Sequence, residues 1–176
     1  MRADYEDTLP LVKMARTILG ELKEDETGLD QQDDAVKEDF HTQLSLLEFH
    51  QGVLALHTNQ RRMSLTNIGV FSNMVSAQAA ANPGGIDQRL GVAYNELGCA
   101  RLQNDKVDDA ETAFRESIQA LEALGDATVN VLSMPRINLG FALWLQGRLE
   151  ESAAVFEETL SMREDEYMAD DTISFA

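Results

Sequence analysis

The chain has 176 residues, which is enough for one hydrophobic core and short for two full domains. A hydrophobic fraction of 44% and a charged fraction of 26% lie in the globular range and exclude wholesale disorder. With 14 basic against 31 acidic residues, the net charge of −17 disfavours nucleic acid and anionic membrane surfaces as partners and would attract a basic peptide or protein.

Cysteine use and hydropathy indicate the compartment. Cys99 is the single cysteine, so no internal disulfide can form, and the first residues lack the basic region and apolar run of a secretory signal. The apolar stretches are shorter than the ~20 residues that cross a bilayer, and polar positions interrupt each of them. We therefore expect a protein of the cytosol, or of the nucleus, without a membrane span.

The first predicted element is an amphipathic helix over 9–23, with apolar residues at three-and-four spacing and a start at Thr8, before Pro10. The following segment, 26–39, is rich in acidic residues and has little apolar periodicity. We assign 1–25 to an N-terminal helix and 26–39 to an acidic connector.

Two helices are predicted next, one from Phe40 to about Thr58 and one from Arg61 to Val75. The few residues between them require an antiparallel pair. The Pro-Gly-Gly run at 83–85 then stops the helix, because proline lacks a backbone donor and glycine relaxes the dihedral constraints.

Two further helix pairs follow, over 90–124 and 131–160, and short breaks separate the two helices of each pair. Pro135 either places the start of its helix at Ser133 or bends the helix there. No strand-like alternation occurs along the chain, so the fold is predicted to be all-α.

A fixed offset of 42 residues relates these two pairs, and it places Gly98 on Gly140 and Phe114 on Phe156. One helix pair per fixed period is typical of a helical solenoid, in which each pair buries its open face against the next. We expect the two glycines to remove side chains where the second helix crosses the first, so that the two aromatic rings fill the seam.

The residues Tyr94, Gly98, Ala110, Phe114 and Ser117 resemble the pattern of the tetratricopeptide repeat family, which places an aromatic residue, Leu-Gly, alanine, an aromatic and a small residue across one helix-turn-helix. The resemblance implies a right-handed helical-repeat solenoid of antiparallel helix pairs. It implies about two and a half repeats, with terminal helices at the two ends.

The longer period is similar to that of kinesin light chains and of fungal NB-ARC-type signalling proteins, and the stretch LGFALWLQGRLEESAAVFEETL at 139–160 resembles the latter. The resemblance covers about 86–163. Two positions depart from the family pattern: Arg101 stands at a tyrosine position and Arg136 at the first aromatic position, and no proline closes either repeat.

A third, degenerate repeat is predicted upstream, where Gly52, Ser64 and Ile68 follow the same small, small, large scheme. The offset from Gly52 to Gly98 is 46 residues rather than 42. We assign 40–163 to the repeat domain and 164–176 to an acidic tail.

Sequence motifs of catalysis are missing: there is no phosphate-binding loop, zinc-protease motif, nucleophile elbow or cysteine pair. His50 and His57 lie two helical turns apart, too far to share a metal ion without other ligands. Cys99 lies in a helix without a histidine nearby in the sequence, which favours packing over nucleophilic use. We therefore expect no enzyme activity, no cofactor and no metal site.

The family resemblance implies a ligand along the concave surface made by the first helix of each pair. Carried over to this sequence, it assigns partner binding to ten residues: Phe49, His50, Val53, Asn95, Cys99, Gln103, Ile137, Asn138, Phe141 and Trp144. The asparagines would bond a peptide backbone and the aromatic residues would form apolar pockets, although packing against a neighbouring repeat explains Phe141 and Trp144 equally well.

The predicted function is therefore a protein-protein interaction module that binds a peptide or partner protein, with a basic partner favoured by charge. The alternative is a small helical enzyme or small-molecule-binding protein that uses the groove as a pocket. A third hypothesis, from the resemblance alone, is a regulatory partner of a larger fungal ATPase. An apolar end of so short an array would either be capped by the terminal segments or stack end to end in a homo-oligomer.

Overall fold

The structure, a computed structural model, describes residues 5–24, 34–82, 88–125 and 129–173. Seven α-helices account for nearly all of these described residues, which contain no strand, and this confirms the all-α prediction. In chain order they are α1 Tyr5–Glu24, α2 Asp34–His57, α3 Arg61–Ala81, α4 Gln88–Gln103, α5 Val107–Glu122, α6 Val129–Leu145 and α7 Leu149–Ile173.

The first two helices begin earlier than predicted. α1 begins at Tyr5, before the predicted start at Thr8, so that Pro10 lies inside the helix. α2 begins at Asp34, so the connector assignment is wrong for 34–39, while 25–33 lies outside the described residues. An acid in the first turn suits the positive end of the helix dipole, and burial of Phe40 anchors the added turn.

The predicted acidic tail is helical as far as the structure describes it, because α7 continues from the repeat domain to Ile173. α6 begins at Val129, so the alternative start at Ser133 is wrong. The Ser133 hydroxyl donates to the carbonyl of Val129 at 2.6 Å within the helix, and Pro135 is buried although it removes one helical hydrogen bond.

The chain divides into two compact units, Met1–Met74 and Val75–Ala176. In the first unit α1 packs along α2, and Arg16 of α1 donates to Glu48 at 2.6 Å and also to Gln51. Across α2 and α3 the rings of Phe49 and Phe71 lie 4.9 Å apart. Gln51, later in α2 than Phe49, accepts a hydrogen bond from Asn67, which is earlier in α3 than Phe71, so the two helices are antiparallel.

In the second unit α4 pairs with α5 and α6 pairs with α7, and α6 also packs against α5 and α4. The core between the two pairs comes from α5 and α6 and consists of Ala110, Phe114, Leu139, Ala142 and Leu143. The second pair therefore buries its first helix against the first pair, as in a helical repeat array.

The turns inside the three helix pairs have the same backbone conformation. Each contains one residue of positive φ: Asn59 at 57°, Asp105 at 61° and Gly147 at 78°. Asparagine, aspartate and glycine are the residues that most readily adopt this left-handed conformation. The hydrogen bonds of these turns also correspond. The backbone N–H of each positive-φ residue donates to the carbonyl three residues earlier, in the last turn of the first helix. The upstream pair is thus a third copy of the same helix-turn-helix.

The predicted glycine crossings are confirmed in all three pairs. A Cβ atom on Gly98 would lie 2.3 Å from the ring of Phe114, and one on Gly140 would lie 2.6 Å from the ring of Phe156. In the third pair a Cβ on Gly52 would lie 2.3 Å from Ile68. In the α6 and α7 pair, Ser152 is the small residue of the second helix. Its hydroxyl donates to the carbonyl of Gly140 in the first helix at 2.8 Å.

One further close approach, at Gly91, was missed in the sequence. A Cβ there would lie 2.4 Å from Leu121, and the buried hydroxyl of Ser117 donates to the Gly91 carbonyl at 2.7 Å. The sequence does contain an indication of this contact: Gly91 lies seven residues before Gly98, so both glycines are on the same face of the helix. α4 and α5 are therefore in close contact along most of their length.

Glu111 of α5 links the two pairs of the second unit. Its carboxylate accepts hydrogen bonds from Arg148 at 2.7 Å and Gln146 at 2.9 Å, both in the turn before α7, and forms an ion pair with Arg115 at 2.8 Å. Burial opposes the charged form of Glu111, but these three partners outweigh it and lower the pKa of the carboxyl below its ordinary value of 4.5.

We expect Glu111→Gln to lower the free energy of unfolding by about 1 kcal/mol at neutral pH. Because the pKa of Glu111 is lowered on folding, its contribution is complete above pH 4.5 and is lost as the pH falls through the folded value. The difference between wild type and variant in urea unfolding should therefore shrink below pH 4.5. Glu116→Gln, an exposed change on the same helix, should not show this pH dependence, and an equal dependence in both variants would contradict the assignment.

We expect Gly52→Ala to destabilise the protein by about 1–3 kcal/mol, because the new Cβ would overlap Ile68 and meet its backbone nitrogen at 3.0 Å. Gly69→Ala is the matched control, since its Cβ would meet nothing within 4 Å and alanine favours the helix. Thermal unfolding followed by circular dichroism checks the pair. Equal melting temperatures for the two variants would remove Gly52 from the crossing scheme.

Candidate partner-binding surfaces

The structure brings three of the predicted site residues together between α4 and α6. The side-chain amide of Asn138 donates to the Asn95 carbonyl oxygen at 2.9 Å and to the Cys99 sulfur at 3.5 Å. The Asn95 amide donates to Glu96 at 3.1 Å. Both donors of Asn138 are thus used within the protein, while its Oδ1 accepts no hydrogen bond within the described part of the chain.

Apolar side chains flank this polar cluster. Val92 and Met134 lie one helical turn before Asn95 and Asn138, and both are exposed. The two positions are also 42 residues apart, so each repeat presents an apolar side chain next to its polar one. We call the surface formed by Val92, Asn95, Met134 and Asn138 the inner face.

Cys99 serves the packing of the repeats. It is partly buried and packs against the core between α5 and α6. Burial, and to a lesser degree the charge of Glu96, raise the pKa of the thiol to about 12. The thiol therefore remains protonated at neutral pH, which disfavours nucleophilic chemistry at this residue.

The remaining predicted residues of the second unit differ in exposure. Gln103 and Ile137 are partly buried, whereas Phe141 and Trp144 are 51% and 56% exposed. The ring of Phe141 packs edge-on against Phe156 with 5.4 Å between the ring centroids, and most of its surface still faces solvent. About half of the surface of Phe141 and of Trp144 therefore remains open to solvent.

The three predicted residues of the first unit lie on α2. Phe49 packs against Phe71 at 4.9 Å and against His50 at 5.5 Å, which makes it chiefly a packing residue between α2 and α3. His50 is exposed and Val53 is partly buried. Among the described residues, no group of three histidines, cysteines or carboxylates is placed to hold a metal ion.

Two arginines at the positions that depart from the family pattern are used within the fold. Arg136 forms ion pairs with Glu122 of α5 at 2.7 Å and with Glu158 of α7 at 2.8 Å. Arg101 donates to the backbone carbonyl of Asp109 at 2.9 Å. Both arginines therefore bond groups within the fold.

Several exposed apolar residues were missed in the sequence. Leu145 and Leu149 lie near the turn between α6 and α7, and Leu160 lies three turns further along α7. The sequence contains no signal of this exposure, because Leu149 and Leu160 align at the 42-residue offset with Val107 and Ile118, which are partly buried. In the described part of the chain, no helix is long and apolar enough to cross a membrane.

Comparison with known proteins identifies one repeat. Residues 136–167 match the family described as Tetratricopeptide repeat, which confirms the family resemblance and indicates a protein-interaction module in general terms. The specific similarity to kinesin light chains and fungal NB-ARC proteins stays a prediction. No curated protein and no solved structure matches the chain.

We expect Cys99 to react with iodoacetamide about a hundredfold more slowly in the folded protein than in guanidinium, at about pH 8. The raised pKa makes the thiolate scarce, and the higher nucleophilicity of a more basic thiolate offsets this only in part. Mass spectrometry of timed samples measures both rates. Equal rates would show that Cys99 is open to solvent and would return it to the list of reactive residues.

Proposed function

We propose that this chain is a protein-interaction module that binds a peptide or partner protein along the inner face. The observation that carries the proposal is the pairing of Asn95 with Asn138 between the first helices of two successive repeats. The tetratricopeptide repeat match at 136–167 supports a role in protein interaction.

The chemistry of the inner face suits a peptide. The free carbonyl oxygen of Asn138 can accept a backbone N–H, and the remaining amide hydrogen of Asn95 can bond a backbone carbonyl. Val92 and Met134 offer apolar contacts on either side, and methionine adapts to side chains of different shape. Amide groups between apolar side chains can bind an extended segment without a requirement for one specific sequence.

The charge of the molecule favours a basic partner. A net charge of −17 raises the local concentration of cationic segments and speeds their encounter at low salt. We place the interaction in the cytosol or nucleus, in accord with the sequence. Binding through the inner face should therefore weaken as the ionic strength rises.

The test is a capture experiment from cell extract with the purified chain and Asn138→Glu. Glutamate at this position should fold, because Glu96 occupies the same place one repeat earlier, and it removes the amide while adding a charge. Gln119→Glu on the exposed side of α5 likewise replaces an amide with a carboxylate, away from the inner face. We expect at least one protein to be captured by both the wild type and Gln119→Glu. The amount of that protein captured by Asn138→Glu should be lower by about tenfold or more.

Met134→Ala provides a second variant, because Met134 is 57% exposed and its truncation should leave the fold intact. Circular dichroism should show unchanged helicity for all three variants. The proposal fails if wild type, Asn138→Glu and Met134→Ala retain the same proteins in the same amounts.

A further inference from the structure

Large apolar side chains lie exposed on the last helix pair, and four of them occupy positions that are covered one repeat earlier. Phe141 and Trp144 are on α6, Leu149 begins α7, and Leu160 follows on the same side of α7; each is between 51% and 58% exposed. Phe156, which contacts Phe141, lies on α7 between the two leucines, seven residues after Leu149 and four before Leu160, so the three share one side of the helix. We call the surface formed by Phe141, Trp144, Leu149 and Leu160 the end face.

The positions 42 residues earlier are covered. They are Cys99, Leu102, Val107 and Ile118, and all four pack against the core formed by α5 and α6. The helix that covers them is α6, through Leu139, Ala142 and Leu143. The end face therefore has the composition of a surface that receives a helix.

The shape of the end face should also suit a helix, because α6 and α7 pair in the same way as α4 and α5. The glycine crossings correspond, Gly98 with Phe114 and Gly140 with Phe156. The turns correspond as well, with positive φ at Asp105 and Gly147. A surface built from corresponding positions on corresponding helix pairs offers the same kind of groove.

Charges mark the two ends of this groove. α6 is held on α5 by the ion pair of Arg136 with Glu122 at 2.7 Å, and the turn after it by the bond from Gln146 to Asp108 at 2.9 Å. The residues 42 positions after these two acids are Glu164 and Glu150, which are exposed acids on α7. Neither makes an ion pair within the residues that the structure describes.

We propose that the end face binds an amphipathic α-helix of another protein, one that carries the contact pattern of α6. In α6 the pattern consists of Leu139, Ala142 and Leu143, which make the apolar contacts, and of Arg136, the basic residue three positions before the first leucine. The apolar residues would cover Phe141, Trp144, Leu149 and Leu160, and the basic residue would pair with Glu164. The end face adjoins the inner face on α6, where Asn138 lies one helical turn before Phe141, but its proposed occupant does not depend on the function proposed for the inner face.

Charge argues against a second copy of the chain as the occupant. Two chains of net charge −17 repel each other, and a face-to-face contact would bring their acidic rims together. α1 does expose an apolar stripe of Leu11, Met14 and Ile18. The residues three positions before these are threonine, leucine and alanine, so the stripe has no cation for Glu164.

The probe is a synthetic 17-residue peptide with the sequence of α6, changed by Phe141→Ala, Trp144→Ala and Pro135→Ala and with lysine or glutamine at the other positions outside the contact pattern. Because the peptide lacks tryptophan, the fluorescence of Trp144, the single tryptophan of the protein, reports the end face directly. We expect a saturable blue shift on titration and a loss of affinity of about tenfold or more in Leu160→Glu. Leu11→Glu, the same change at another exposed leucine, should bind as the wild type does.

A charge reversal tests the orientation of the helix. Arg136→Glu in the peptide should weaken binding to the wild-type protein, and Glu164→Arg in the protein should restore binding of that changed peptide. A change that merely perturbs the fold would not produce such a reversal. Val92→Glu changes the inner face on α4, away from Phe141 and Trp144, and should bind the probe normally, so that failure of the inner-face proposal and failure of this one are distinguishable.

Three results would overturn the proposal. The first is the absence of a saturable spectral shift, and the second is equal affinity for Leu160→Glu and Leu11→Glu. The third is a dimer of the chain alone in analytical ultracentrifugation that Leu160→Glu dissociates, which would assign the end face to a second copy. Binding that survives the charge changes would disprove the pairing with Glu164.

Discussion

The contact of a glycine in one helix with a large side chain in the next determines how each pair of this protein packs. Gly98 and Gly140 leave room for Phe114 and Phe156, and a Cβ at either glycine would overlap the ring. The helices can therefore approach closely enough for small residues such as Ser152 to bond the opposite backbone. Without this approach the apolar seams would separate, and the next pair would lose the surface on which it packs.

Two polar links join the helix pairs of the second unit, and one of them is made by a residue that departs from the family pattern. Arg136 stands at an aromatic position, and it connects α6 to both α5 and α7 through Glu122 and Glu158. Glu111 connects α5 to the turn before α7 through Arg148 and Gln146. These links span successive elements of the array, so the contact between repeats has a definite register as well as an apolar core.

A repeat array has two kinds of surface, and they suit different ligands. The inner face combines amides with exposed side chains of moderate size, which is suited to an extended peptide. The end face is more apolar because each pair in a solenoid is built to bury that side against a following helix. One module with both surfaces could hold two segments at once.

The sequence by itself determined the all-α fold, the helix pairs, the 42-residue offset and the glycine crossings, because periodicity and small-residue spacing are local properties of the chain. It also predicted the degenerate pair at Gly52, where the shared turn conformation reveals the third repeat. Only the tertiary structure decided that α2 begins at Asp34, that Asn138 bonds Asn95, and that Phe141 and Trp144 remain exposed. These properties depend on which helix packs against which, and whether a side chain is covered is decided by neighbours that are distant in the sequence.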